Sequence, residues 1–272
     1  MFSRPKIEYK SDDDIRRMRR AGLVTAAALD AARRAIRPGA TTSDVDAAAA
    51  AALADAGATS NFLGYYGYPA TVCVSVNDEV VHGIPGDRVL EAGDLVSVDG
   101  GAIVDGWHGD SAFSTVIPPE TSADRELADA TSGALWAGIA ALATARHVGE
   151  VGDAIDAYMT SRAPQLGILE DYVGHGIGTA MHQPPDVLNY STAHRGPAVR
   201  PGMCLAIEPM IVSGSIDTRV LDDDWTVVTE DGARAAHFEH TVAVHSGGLW
   251  VLTAPDGGAE ELAKHGVDAA PL

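Results

Sequence analysis

Basic residues are scarce in this 272-residue chain: 19 Lys and Arg stand against 38 Asp and Glu, for a formal net charge of -19. Such a surface repels a phosphate backbone and argues against general or sequence-specific nucleic-acid binding. Cysteine is nearly absent. Cys73 and Cys204 are the only two, and in a chain that opens MFSRPKIEYKSDDD, with no secretory signal pattern, they read as free thiols. No apolar run approaches the ~20 residues that cross a bilayer as a helix, so no membrane span is expected and the chain reads as soluble and cytoplasmic. Aromatic residues amount to 6%, yet apolar residues together reach 46%, enough for a sizeable core.

The few basic residues are unevenly placed. Residues 1–37 hold Arg4, Lys6, Lys10, Arg16, Arg17, Arg19, Arg20, Arg33, Arg34 and Arg37, ten of the 19, against five acids. A run of this kind is usually one solvated helix face. The alternative is a docking patch for an anionic partner, motivated by these arginines alone.

After an acidic cap at Ser11–Asp14, residues 14–36 contain no Pro and one Gly and stop at Arg37-Pro38-Gly39, which predicts a helix with a clear end. Thr42-Ser43-Asp44 predicts the cap of a second helix running to Ala56 and closed by Gly57. Two further helices fit 122–145 and 150–162. Segments 70–77, 94–105, 111–117, 203–212, 225–229 and 236–245 are rich in β-branched and apolar residues and read as strands. From Ser246 the chain reads as loop, with Asp256-Gly257-Gly258 turning into a short final helix.

An internal repeat organises these elements. Gly39 with Val45-Asp46-Ala47 recurs as Gly149 with Ile155-Asp156-Ala157, an offset of 110, and Leu63-Gly64-Tyr65 falls on Val173-Gly174-His175 at the same offset. Residues 92–99 (AGDLVSVD) match 201–208 (PGMCLAIE) at 109, with an acid closing both strands. Two related halves of helix, helix and sheet would place Asp99 and Glu208 at equivalent points about a pseudo-twofold axis.

Other acids sit nearby in apolar surroundings. Asp99 and Asp110 are eleven apart around the hairpin signal Asp105-Gly106, and Glu239 lies in AAHFEHTVAV. A buried unpaired charge is very costly, and four carboxylates together repel one another, so a cluster of divalent cations is the economical solution. Residues 172–185 (YVGHGIGTAMHQPP) add His175 and His182, seven apart. Three glycines there argue against a helix that would aim both imidazoles at one ion.

In order, NDEVVHGIP (77–85), Asp99, HGD ending at Asp110, GHGIG (174–178), His182, AIEPM (206–210) and FEHT (238–241) closely resemble the methionine aminopeptidases. The resemblance spans about 12–246. It implies an α+β pita-bread fold: two pseudo-twofold-related halves of antiparallel sheet covered by helices. A short segment 1–11 would precede one catalytic domain, 12–272, with half-repeats of roughly 12–120 and 121–246. The metal ligands it implies are Asp99, Asp110, His175, Glu208 and Glu239, holding two divalent ions drawn from Co, Mn, Fe or Zn. A bridging water or hydroxide would attack the carbonyl after the first methionine, with Glu208 as proton acceptor, His182 stabilising the tetrahedral intermediate and His82 positioning the substrate. Tyr65, Tyr68, Cys73, His82, Met181 and Trp225 match the pocket for the methionine side chain, with Phe62 nearby.

Three residues depart from the family pattern: Met181 where phenylalanine is frequent, Gly101 where threonine is usual, and Val81 where many members have cysteine. His108 and His240 belong to family motifs without being ligands. His147, His194, His237, His245 and His265 carry no pattern and read as surface or satisfied core residues. Prolidases and proline aminopeptidases share the ligand set but add a large N-terminal domain. About a dozen residues precede the first helix here, and 25 separate His182 from Glu208, which fits a compact bacterial-style first-type enzyme. The expected function is removal of N-terminal methionine from peptides and nascent chains with small second residues, by a monomer. An Xaa-Pro peptidase and a non-catalytic binder on the same fold are the alternatives.

Overall fold

The computed structural model describes residues 6–272. Arg4 of the basic end and the first five residues of segment 1–11 lie outside the described residues. Helices α1 (Asp12–Ala35) and α2 (Thr42–Asp55) lead into strands β1 (Thr59–Ser60), β2 (Cys73–Val76), β3 (Glu79–Val81), β4 (Leu95–Val104) and β5 (Trp107–Val116). Helices α3 (Ser122–Ala141) and α4 (Glu150–Arg162) precede β6 (Gly167–Ile168), β7 (Gly174–Gly176), β8 (Gln183–Val187), β9 (Cys204–Ile207) and β10 (Met210–Val212). The chain closes through β11 (Thr218–Val220), β12 (Val227–Thr229), β13 (Ala235–His237), β14 (Glu239–His245), β15 (Gly248–Val251) and α5 (Ala259–Lys264).

Three of these helices start on the same chemistry. Ser11, Thr41 and Thr121 each close a capping box with the aspartate three residues on, which satisfies donors that a helix start otherwise leaves orphaned. The second cap is therefore Thr41, one residue ahead of the expected Thr42-Ser43-Asp44. Helix α3 ends at Ala141, short of the expected 145. Its tail tightens instead, with Ala143 N bonded to Ala140 O and Thr144 N to Ala141 O, which satisfies the last carbonyls in the absence of a glycine cap.

Two of the expected strands are broken in the middle. The segment 203–212 divides at Glu208-Pro209 into β9 and β10, because Pro209 has no N–H to give a ladder. Opposite it, 236–245 divides at Phe238 into β13 and β14. β9 and β14 belong to a nine-stranded sheet of order β1-β4-β5-β14-β9-β7-β8, with β2 on β4 and β15 on β14, whereas β10 and β13 form a small sheet with β6. Strand β15 lies where a loop was expected; its Leu249-Trp250-Val251 triplet is buried along β14. Strands β1, β3, β6, β7 and β11, of two or three residues, are too short to leave a periodic signal, and β8 carries Pro184 and Pro185, which demote a strand reading.

The ladder registers reveal the duplication in detail. Asp99 pairs with Ala112 and Gly101 with Asp110; Ile207 pairs with His240 and Met210 with His237. With Asp99 matched to Glu208, these registers match Ala112 to Glu239 and Asp110 to His237. Ala112 and Glu239 pair directly across β5 and β14, so the twofold passes through that pair. One alignment shifts: His175 pairs with Ala206 and Ser75 with Ser97. The sheet counterpart of His175 is thus Ser75, not Tyr65, which lies in a 3-10 turn at Tyr65–Gly67.

Each half is covered by its own helix pair. Leu29, Val45, Val74 and Val98 form a core beneath α1 and α2, and Leu135, Ile155, Leu205 and Val242 one beneath α3 and α4. The outer face of α1 carries paired charges: Arg16 with Asp13, Arg17 with Asp14, Arg20 with Asp105 and Arg34 with Asp30. Helix α1 meets β5 backbone to backbone at two glycines. A Cβ on Gly109 would lie 2.8 Å from Gly22 N and 2.9 Å from Ala21 C. The Gly109 carbonyl also receives the Asn61 amide at 2.9 Å, so this contact fixes the strand one residue before Asp110. Gly109→Ala should lower stability by about 1–3 kcal/mol through overpacking, read as a lower urea midpoint with unchanged m-value; an unchanged midpoint would refute the close packing.

Candidate active site

The two strand breaks deliver the site. At Pro209 and Phe238 the chain crosses from the large sheet to the small one, so Glu208 and Glu239 leave regular pairing beside Asp99 and Asp110 of the β4-β5 hairpin. His175 arrives from β7, which is gripped between β8 and β9. Only glycine permits that grip: a Cβ on Gly174 would lie 2.3 Å from Ala206 O, and one on Gly176 2.3 Å from Pro184 O.

The five residues converge. Donor atoms of Asp110, His175 and Glu239 all lie within 4.8 Å of one another, and His175 Nε2 is 3.4 Å from Glu208 Oε1. Burial foremost raises the carboxyls of Asp99, Asp110, Glu208 and Glu239 above their ordinary range, and the charges of their neighbours add to the rise at the last three. Asp99 Oδ1, Asp110 Oδ1 and Glu239 Oε1 are buried without a hydrogen-bond partner. Enclosed charge costs several kcal/mol per ion unless it is compensated. Among the described residues no Lys or Arg lines the cleft around them, so a bound divalent cation is the compensation these oxygens fit, with a neutral imidazole as the nitrogen donor. Burial, then His182, holds the His175 pKa down at about 3, so it is neutral and ready to ligate.

All the residues expected to act or to bind line one cleft of about 1080 Å³: Asp99, Asp110, His175, Glu208 and Glu239 with His82, His182, Tyr65, Tyr68, Cys73, Met181 and Trp225. One end of the cleft is apolar, with Phe62, Tyr68, Ala70, Cys73 and Met181 in mutual contact and Tyr65, Ile84 and Trp225 packed against them. Tyr68 is tied down by hydrogen bonds from its hydroxyl to Gly83 O and Val72 O. Burial raises both the Tyr68 hydroxyl and the Cys73 thiol, which keeps this wall uncharged. Cys73 and Cys204 are both free and buried.

The imidazoles are held differently. His182 Nδ1 is 2.7 Å from the Tyr65 hydroxyl, and its ring stands edge-on to His175 with centroids 4.3 Å apart. His82 adopts a φ of 61°, a region seldom taken outside glycine, and its ring is edge-on to Tyr172 and Trp225. Burial, then His182, lowers its pKa to about 4.

Sequence reasoning passed over His237. It is 1% exposed, its Nε2 has no partner, and that atom lies 3.8 Å from Glu208 Oε2. It is therefore neither a surface nor a satisfied core residue. One signal in the sequence pointed to it, its place two residues before Glu239; the match to Asp110 shows only in the ladder registers. Tyr172, beside His82, was also missed. The remaining histidines behave as expected or lie at the edge. His245 Nε2 is bonded to Ala270 O, His147 faces Glu150, His265 is exposed, and His194 sits on the outer rim of the cleft. His108 keeps an unpartnered Nδ1, and His240 Nδ1 is 2.8 Å from Thr253 Oγ1.

The departures from the family pattern have local causes. A Cβ on Gly101 would lie 2.2 Å from Asn61 Nδ2 and 2.4 Å from Gly109 O, so Asn61 occupies the room a threonine would need. Met181 is buried in the apolar wall, and Val81 packs with Leu169, Met210 and Val227 outside it.

Residues 16–246 match the model of metallopeptidase family M24. The methionine aminopeptidase 1 of Mycobacterium tuberculosis is 46% identical over 254 residues, covering 91% of this chain and 95% of that protein. That of Bacillus subtilis is 40% identical, covering 87% and 94%. The crystal structure of the Thermotoga maritima methionine aminopeptidase superposes with a TM-score of 0.88 at 38% identity, over 91% of this chain and 99% of that one. With the ligand cluster, the pita-bread architecture and these likenesses together, the chain belongs to metallopeptidase family M24 and, within it, to the methionine aminopeptidases.

Proposed function

We propose that this chain removes N-terminal methionine from peptides and nascent chains with small second residues, working as a monomer in the cytoplasm on two divalent ions held by Asp99, Asp110, His175, Glu208 and Glu239. The observation that carries this reading is the joining of the buried carboxylate cluster to an apolar, uncharged wall in a single cleft. A methionine side chain is an unbranched thioether and suits such a wall. We take 12–272 as one catalytic domain with halves of roughly 12–120 and 121–246. The paired charges on α1 leave a ribosome contact as a minor expectation.

When bound, the ions supply an activated water and polarise the scissile carbonyl. The protein's own groups do the rest. Glu208, facing the cluster, accepts the proton from the nucleophile and passes it to the leaving amine. The Tyr65 hydroxyl, whose pKa is raised foremost by burial, stays protonated and donates to His182 Nδ1. That bond leaves the His182 Nε2–H free to donate to the carbonyl oxygen as charge develops there. His82, fixed between Tyr172 and Trp225, orients the substrate backbone, and Tyr65, Tyr68, Cys73, Met181 and Trp225 enclose the first side chain.

The deciding assay offers Met-Ala-Ser, Met-Leu-Ser and an Xaa-Pro peptide to protein stripped by chelation and reloaded with Mn, Fe, Co or Zn. Metal-dependent cleavage confined to Met-Ala-Ser is expected. Cleavage of the Xaa-Pro peptide alone would replace the reading with a prolidase-like one, and no turnover with any metal would favour a binding protein.

Tyr65→Phe should lower kcat about five- to tenfold, the worth of one hydrogen bond, while leaving KM within twofold. A changed KM with an unchanged kcat would make Tyr65 a pocket residue only.

The site carboxyls give a dependence on pH. Their folded pKa values are raised, so the folded metal-free protein favours the protonated forms. That stability is fully present below the unfolded value of about 4 and is lost as pH rises through the raised values. Divalent metal should therefore raise the melting temperature more at pH 8 than at pH 5, and Asp110→Asn should abolish both cleavage and most of that increment. An equal increment at the two pH values would contradict the carboxylate cluster as the binding site.

A further inference from the structure

The segment before α1 has no role in the chemistry above, yet it reaches the loop that carries Met181 and His182. Loop 177–182 joins β7 to β8 and lies outside their ladder, with Gly176 pairing with Gln183 at its base. Glu8 closes over its tip. The Glu8 carboxylate accepts Thr179 N at 3.1 Å, Thr179 Oγ1 at 2.7 Å and Gln183 Nε2 at 2.8 Å. Lys10, 6% exposed in a strongly acidic protein, completes the network. Its Nζ lies 3.3 Å from Glu8 Oε2, 3.2 Å from Gln183 Oε1 and 3.0 Å from Glu8 O. The segment is itself anchored, by Lys10 N to Gly202 O and by the Ser11 cap of α1.

A second observation is independent of these bonds. Gly178, the last glycine of GHGIG, has no left-handed φ to account for it. A Cβ there would lie 2.1 Å from Glu8 Oε2 and 2.4 Å from Lys10 Cε. Whereas Gly174 and Gly176 make room for neighbouring strands, Gly178 makes room for this strap.

We infer that Glu8 is a positioning residue: by binding Thr179 and Gln183 it fixes the loop that sets the Met181 wall and the His182 imidazole, and so governs selectivity for the first side chain. Partial burial pushes the Glu8 carboxyl up, but the Thr179 and Gln183 bonds and the Lys10 charge together outweigh it and hold the carboxyl at about 2. The strap therefore stays charged wherever the enzyme works. Loss of Glu8 would also leave Lys10 buried without a carboxylate. The inference rests on the cleft being a methionine aminopeptidase site, but its first readout does not.

Hydrogen exchange of the whole chain, wild type against Glu8→Ala, should show at least tenfold faster exchange over 177–183 and unchanged protection over 204–207 and 239–245. With the Mn-loaded protein, the ratio of kcat/KM for Met-Ala-Ser over norleucine-Ala-Ser and Leu-Ala-Ser should shrink at least threefold, with KM for Met-Ala-Ser rising. General destabilisation would lower kcat in proportion to folded protein and leave that ratio intact. Should Glu8→Ala fail to fold, Thr179→Val removes one bond from an exposed side chain, and Gly178→Ala displaces the strap; each should move the ratio in the same direction. Unchanged exchange in 177–183, or an unchanged ratio across these variants, overturns the inference. Wild type inert on every Met peptide while Glu8→Ala still loosens the loop would sink the functional reading and leave the strap standing.

Discussion

The structure depends on one electrostatic conflict. Four carboxylates and an imidazole are drawn together in a cleft with no Lys or Arg among the described residues that line it, where enclosure raises the cost of every negative charge. Three of their oxygens lack hydrogen-bond partners. A protein core does not keep such oxygens for stability alone. Much of the surrounding architecture can be understood as what is needed to bring unlike strands to one point and hold them there against repulsion.

The fold meets that demand by interrupting its own regularity. Pro209 ends β9 one residue after Glu208, and the matching break at Phe238 frees Glu239, so the two glutamates sit where a continuous ladder would have turned them into ordinary sheet residues. Glycines make up the other half of the solution. Gly174, Gly176, Gly109 and Gly101 each stand where a Cβ would overlap backbone or a buried amide, allowing β7 and the β4-β5 hairpin to be squeezed between neighbours. Backbone atoms, rather than side chains, set the spacing of the cluster.

Much of this was legible in the sequence, because the chemistry concentrates in short fixed motifs. The four carboxylates and the hairpin strands follow from residue type and alternation, whereas His175 as the fifth member and the apolar wall came only with the resemblance to a family. What escaped had physical reasons. Strands of two or three residues carry no periodicity. The Pro209 break reads as an interruption only once the partner strand is known. His237 was set aside despite standing two residues before Glu239, because what ties it to the cluster is the ladder, with Met210 opposite it and Glu208 beyond. The match of Tyr65 to His175 failed because Tyr65 lies in a turn ten residues ahead of Ser75, which holds the equivalent place in the ladder.

The pair through which the twofold passes, Ala112 opposite Glu239, bears on how such a site could arise. Two copies of the first half would put alanine against alanine there and lose an acid. Two copies of the second would set Glu239 against its own copy and lose the alanine of the pair. Ser75 opposite the role of His175, and His237 opposite that of Asp110, would fail in the same way. Neither half could dimerise with itself to build this cluster. Joining the halves in one chain is therefore what lets each position on the axis side diverge separately, and the chemistry lies in the differences that symmetry would have erased.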